Sequence, residues 1–142
     1  MIDFVTTFME QSPFGTGVGL RLDHIEADRV RVVLPYREAV TTIADVVHGG
    51  AISTLIDVAA TAAAWSGAEP TDNPRGATIG LTVDFLRAAR GADLVADARV
   101  LRRGRSVCFC EVDVRDGDDL VAKGLVSYKL GYADTADSDC SR

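Results

Sequence analysis

Apolar and polar residues alternate in two different rhythms along this chain, and the rhythm changes at breaks rich in glycine, proline and aspartate. Phe4 to Glu10 has the spacing of a short amphipathic helix, ended by Pro13, Gly15 and Gly17. Val18 to Ile25 alternates with period two and predicts a first strand. Val30, Val32 and Leu34 predict a second, which stops at Pro35, with Glu26-Ala27-Asp28 as the hairpin loop between them. Tyr36 to Val47 has no clear period and reads as a loop. From about Gly49 to Ser66 nearly every side chain is small or apolar, which predicts a helix buried on all sides and stopped by Gly67. Four strands then follow, over Ala77–Leu86, Asp93–Arg103, Ser106–Arg115 and Leu120–Leu130, broken at Ala89-Arg90-Gly91, at Gly104 and at Asp116-Gly117-Asp118.

Strands joined by short connections make an antiparallel sheet, and one apolar helix needs that sheet as cover. The fold class expected is α+β, an antiparallel sheet of five to six strands wrapped round one long buried helix. One domain is expected over residues 1–132, with residues 133–142 expected as an acidic, disordered tail. A second copy of the chain can supply the rest of the helix's cover.

One residue breaks the apolar run. Asp57 lies in the middle of the predicted helix, where a carboxylate is costly unless it is paired, protonated or used. The helix opens on His48-Gly49-Gly50, whose backbone N–H groups are free to meet an incoming oxygen. A carboxylate and an oxyanion-binding helix end, about two turns apart, suggest carbonyl chemistry. The plainer reading of Asp57 is a buried acid that caps a loop or pairs with an arginine. The plainer reading of the two glycines is a tight turn.

Composition narrows the classes. The chain has 142 residues, 47% of them hydrophobic, with a net charge of −6. That balance argues against general binding to nucleic acid or to an anionic membrane. Met1-Ile2-Asp3-Phe4 has no basic region and no long apolar stretch, so the cytoplasm is expected. Cys108, Cys110 and Cys140 show no metal-ligand spacing and read as reduced thiols; neither metal nor redox cofactor is expected.

Val47-His48-Gly49-Gly50, with an acid nine positions after the histidine and four strands downstream, resembles the hotdog-fold acyl-CoA thioesterases, in particular the PaaI-type branch of the phenylacetate pathway. The resemblance covers roughly Phe14 to Leu130. It implies hydrolysis of an acyl-CoA thioester, with CoA as part of the substrate, by homodimers or dimers of dimers whose sites lie at subunit interfaces. It implies Asp57 as nucleophile or general base, Gly49 N–H as oxyanion donor, and His48 as a residue that orders the loop or touches the thioester. Thr78 falls where some relatives hold the attacking water. Thr42 stands where many relatives carry an amide, and Asp45 where they carry glycine. Thr42 and Gly50 are therefore expected beside the substrate. Arg102, Arg103, Arg105 and Ser106 fall where relatives place CoA contacts, and arginine forks suit phosphate; a solvated charged face is the alternative. Two other functions stay open: a dehydratase acting on hydroxyacyl thioesters, with His48 and Asp57 moving protons, and a non-catalytic acyl-CoA-binding domain.

Overall fold

A computed structural model describes residues 1–131, so the expected acidic tail and Cys140 lie outside the described residues. The order of elements is α1 (Ile2–Gln11), α2 (Pro13–Val18), β1 (Arg21–Glu26), β2 (Arg29–Leu34), a 3-10 turn (Glu38–Val40), α3 (Gly49–Ser66), β3 (Arg75–Phe85), β4 (Leu94–Arg103), β5 (Val107–Asp116) and β6 (Asp119–Gly131). All six strands form one antiparallel sheet in the order β1-β2-β4-β5-β6-β3. The expected fold class holds: a six-stranded antiparallel sheet curls round one central helix.

The first expected strand begins late. Val18 ends α2 instead of opening β1, because Ser12 caps that short helix through Gly15 N and Pro13 occupies its first turn. Downstream, period-two burial builds the sheet's inner face. Val30, Val32 and Leu34, then Leu94, Ala96 and Ala98, then Cys108, Cys110, Val112 and Val114 all point inward and are buried. Alanine and glycine let α3 lie close on this surface. Ile56 packs so tightly on β6 that a Cβ at Gly124 would stand 2.4 Å from its Cγ2.

Cover is uneven. α3 packs on β2, β4, β5 and β6, while β3 forms the sheet edge beside β6 and meets the helix only lightly. The helix is therefore not buried all round: Ser53, Asp57 and Thr61, spaced at four residues, form a half-buried polar stripe. No helix among the described residues is long and apolar enough to cross a membrane.

Candidate active site

The site starts where the loop before α3 turns into helix. Thr42 N donates to Val46 O at 2.9 Å, and His48 N donates to Val40 O at 2.8 Å, which sets the entry angle of the chain. His48 is the N-cap: its Nδ1 accepts from Gly50 N at 2.7 Å. A Cβ at Gly50 would stand 2.9 Å from that nitrogen, so glycine is what lets the imidazole fold back. His48 thus orders the helix start. Gly50, expected beside the substrate, has its N–H engaged in this cap. Gly49 N–H, one residue earlier, has no acceptor among the described residues.

Two turns on, Asp57 meets β3. Thr78 Oγ1 donates to Asp57 Oδ1 at 2.6 Å, which holds the carboxylate in one orientation and leaves Oδ2 open. Simple alternation would put Thr78 on the face opposite Leu81, Val83 and Phe85. A bulge between Thr78 and Gly80 adds one residue to the strand. Thr78 then stands opposite Tyr128, while Leu81 and Val83 stand opposite Val126 and Gly124, all on the helix side. The bulge is the device that aims Thr78 at Asp57.

Within one chain the two halves of the chemistry are apart. Gly49 precedes Asp57 by eight residues, about 12 Å along the helix axis at 1.5 Å per residue. One thioester carbonyl cannot reach both, because attacking group and oxyanion donor must each come within about 3 Å of it.

The remaining expected residues separate. Thr42 is exposed on its turn, and no hydrogen bond joins its side chain to the site. Asp45 ties the loop to Arg90 Nη1 at 3.1 Å. Arg103 is turned inward. Its guanidinium donates to Asp28, to Ala64 O at 3.0 Å and to Cys108 Sγ at 3.1 Å. Asp28 N in turn donates to Ser66 Oγ at 3.0 Å. This cluster closes the C-terminus of α3 and engages the Arg103 guanidinium expected at CoA. Arg102 at the end of β4, and Arg105 and Ser106 on the β4–β5 turn, are exposed, and the two arginines have no acidic partner among the described residues. Among the described residues no group of three or more His, Cys, Asp or Glu could hold a metal ion.

The comparisons with known proteins match this architecture. The profile described as the thioesterase superfamily matches residues 44–123. That range holds both Gly49 and the Asp57–Thr78 pair. The chain belongs to the thioesterase superfamily. A protein of Halobacterium salinarum that carries an esterase name is 38% identical over 100 residues, covering 68% of this chain and 66% of that one. The medium/long-chain acyl-CoA thioesterase YigI of Escherichia coli is 26% identical over 139 residues, covering 87% and 89%. The solved structure of a mutant phenylacetic acid degradation protein PaaI from Thermus thermophilus superposes with a TM-score of 0.74 at 22% identity, over 83% of this chain and 98% of that one. That last likeness is of fold. This superfamily member is a hotdog-fold thioester hydrolase.

Proposed function

We propose that this protein is an acyl-CoA thioesterase whose active site is completed by a second copy of the chain. The observation that carries the reading is the Thr78–Asp57 pair, a carboxylate fixed on one oxygen and open on the other, in a helix that also begins with an unspent N–H at Gly49. Oδ2 either attacks the thioester carbon, giving a mixed anhydride that water then hydrolyses, or takes the proton from the water that attacks it directly. The carbon–sulfur bond breaks, the sulfur leaves as CoA thiol, and the acyl group leaves as the free acid. Gly49 N–H of the other chain stabilises the oxyanion, helped by the positive end of the helix.

The sheet edge supports the pairing. β3 has eleven residues and an unpaired outer edge, where Ile79 is 58% and Phe85 54% exposed. A long apolar edge invites a second strand. Antiparallel pairing of two β3 strands about a two-fold axis continues the sheet and sets each helix beside the other chain's β3. The acyl-CoA class is carried over from the resemblance and from YigI, to which the chain is similar. Arg102 and Arg105 supply free guanidinium groups for the CoA phosphates. The cytoplasm is the compartment this reading assigns, in keeping with unpaired Cys108 and Cys110.

The test is release of free thiol from a panel of acyl-CoA thioesters by the purified protein, with light scattering on the same sample. Thiol release by a dimer or tetramer is expected. An active monomer would remove the shared site. Formation of an α,β-unsaturated thioester without thiol would make the protein a dehydratase. Saturable acyl-CoA binding with neither reaction would make it a binding domain.

A further inference from the structure

Beyond Asp57 the polar stripe of α3 runs into a chamber of about 210 Å³. Its walls are Thr61 and Trp65 of α3, Gly76 of β3, Tyr128 of β6, and Phe4 and Phe8 of α1. Thr61 and Trp65 follow Asp57 by four and eight residues. They continue the same helix face for about 6 and 12 Å. Gly76 precedes Thr78 by two residues, and Tyr128 is the partner of Thr78 across the sheet. The chamber's lining thus begins one helical turn past Asp57, at Thr61, and two residues before Thr78, at Gly76, and runs toward the C-terminal end of α3.

Its walls are fixed by contacts at the edge of the core. Trp65 Nε1 donates to the Tyr128 hydroxyl at 2.9 Å. Phe4 meets the Trp65 ring edge-on, with centroids 5.6 Å apart, and Phe8 stacks on Phe4 at 6.3 Å. A Cβ at Gly76 would stand 2.6 Å from the Tyr128 ring, so only glycine leaves room for that side chain. α1 is anchored by Val5 and Met9, which are buried in the core, while Phe8 is 42% exposed. Phe8 thus stands at the outer rim of this partly open chamber without holding the helix in place. α1 also lies outside the residues that match the superfamily profile.

We infer that α1 is the end wall of an acyl chamber, and that Phe8 over Phe4 sets the largest acyl group this chain accepts. The inference deepens the acyl-CoA reading and rests on it. An apolar cavity of about 150 Å³ holds one benzene molecule. At the same packing, 210 Å³ takes an acyl group of about eight carbons, as a straight chain or as one ring with a short arm. A longer chain meets Phe4 and Phe8. The aromatic walls offer large, stiff apolar surfaces to either shape.

The test measures kcat/KM for acetyl-, octanoyl-, phenylacetyl- and palmitoyl-CoA. Octanoyl- and phenylacetyl-CoA are expected to exceed palmitoyl-CoA by about tenfold or more. Phe8→Ala opens the wall and should raise the palmitoyl-to-octanoyl ratio by about tenfold. Thr61→Phe fills the chamber and should raise the acetyl-to-octanoyl ratio by a similar factor. A second readout needs no turnover. Trp65 is the only tryptophan in the chain. S-octyl-CoA, a thioether that cannot be hydrolysed, should change its emission saturably, and Thr61→Phe should weaken that response. An unmoved palmitoyl-to-octanoyl ratio in Phe8→Ala, or Trp65 emission indifferent to S-octyl-CoA, overturns the chamber. If no thioester releases thiol while S-octyl-CoA still reports through Trp65, hydrolysis falls and the chamber stands.

Discussion

The two sides of α3 obey opposite rules. On one side Leu55, Ile56, Ala59, Ala60 and Ala63 have no exposed surface and lie against a wall of valine, alanine and cysteine. Burial there pushes the Cys110 thiol up to about 12, so that side would resist any charge. On the other side Ser53, Asp57 and Thr61 are half-buried and face the thin seam along β3. A carboxylate survives there because a hydroxyl from Thr78 and an open flank satisfy its oxygens. Helical periodicity makes this possible: a polar stripe four residues apart interrupts only one face. The packed side holds the chain together, and the open side is free to do chemistry.

Substitutions should separate the two sides. Asp57→Asn keeps the volume and the Thr78 contact but removes the base. Turnover should fall by at least ~10²-fold while the melting temperature and the oligomer are retained. Wild-type kcat in the folded variant would take Asp57 out of the reaction. Gly124→Ala is the mirror case. Its new methyl group meets Ile56, whose side chain is locked in the core, so unfolding stability should drop by ~1–3 kcal/mol. Turnover by the folded fraction should persist. Equal loss of activity and stability in both variants would erase the contrast between the sides.

Much of this division can be read from the residues alone. An alanine-rich run that opens on two glycines and is stopped by Gly67 predicts α3 at about Gly49 to Ser66, where it is found, because small side chains and a stop agree. The lone acid in that run marks Asp57. What stays hidden depends on contacts distant in sequence. A bulge at Ile79 leaves no mark in an alternation of valine, leucine and threonine, so Thr78 is aimed at Asp57 by a feature that only pairing with β6 reveals. Four arginines within seven residues look alike, yet Arg103 turns inward to Asp28, 75 positions away. The sheet order, with β3 beside β6 at the edge, also escapes a reading of consecutive strands. α2 did carry a local signal in Ser12-Pro13, a cap followed by proline, which outweighs the alternation around Val18.

The far end of α3 offers a finer division, between arginines that hold the fold and arginines that are free for ligand. Arg103→Ala removes the links to Asp28, Ala64 O and Cys108. Asp28 is half-exposed and solvent screens part of that attraction, so the loss should be ~1–2 kcal/mol of stability. Arg102→Ala with Arg105→Ala should leave the melting temperature alone and raise KM for the CoA thioester more than it lowers kcat. The nucleotide is remote from the bond that breaks and binds alike in ground and transition states. Added salt should raise the KM of the unaltered protein, and this salt effect should shrink in the double variant. An unchanged KM there would make the β4–β5 turn an ordinary solvated surface.

The smallest effect is expected at the near end, where order and chemistry share one residue. His48→Ala removes the acceptor for Gly50 N–H. That group is exposed and water replaces the ring, so stability should fall by only ~1 kcal/mol. The cap also fixes the backbone turn that aims Gly49 N–H, so kcat should fall more than KM rises. His48→Asn decides what the imidazole does. Asparagine is among the best N-caps and can return an oxygen to Gly50 N–H. If His48 only orders the helix start, the asparagine variant regains both stability and kcat. If stability returns and kcat does not, the ring itself touches the thioester, and the ordered helix end and the reacting group meet in one side chain.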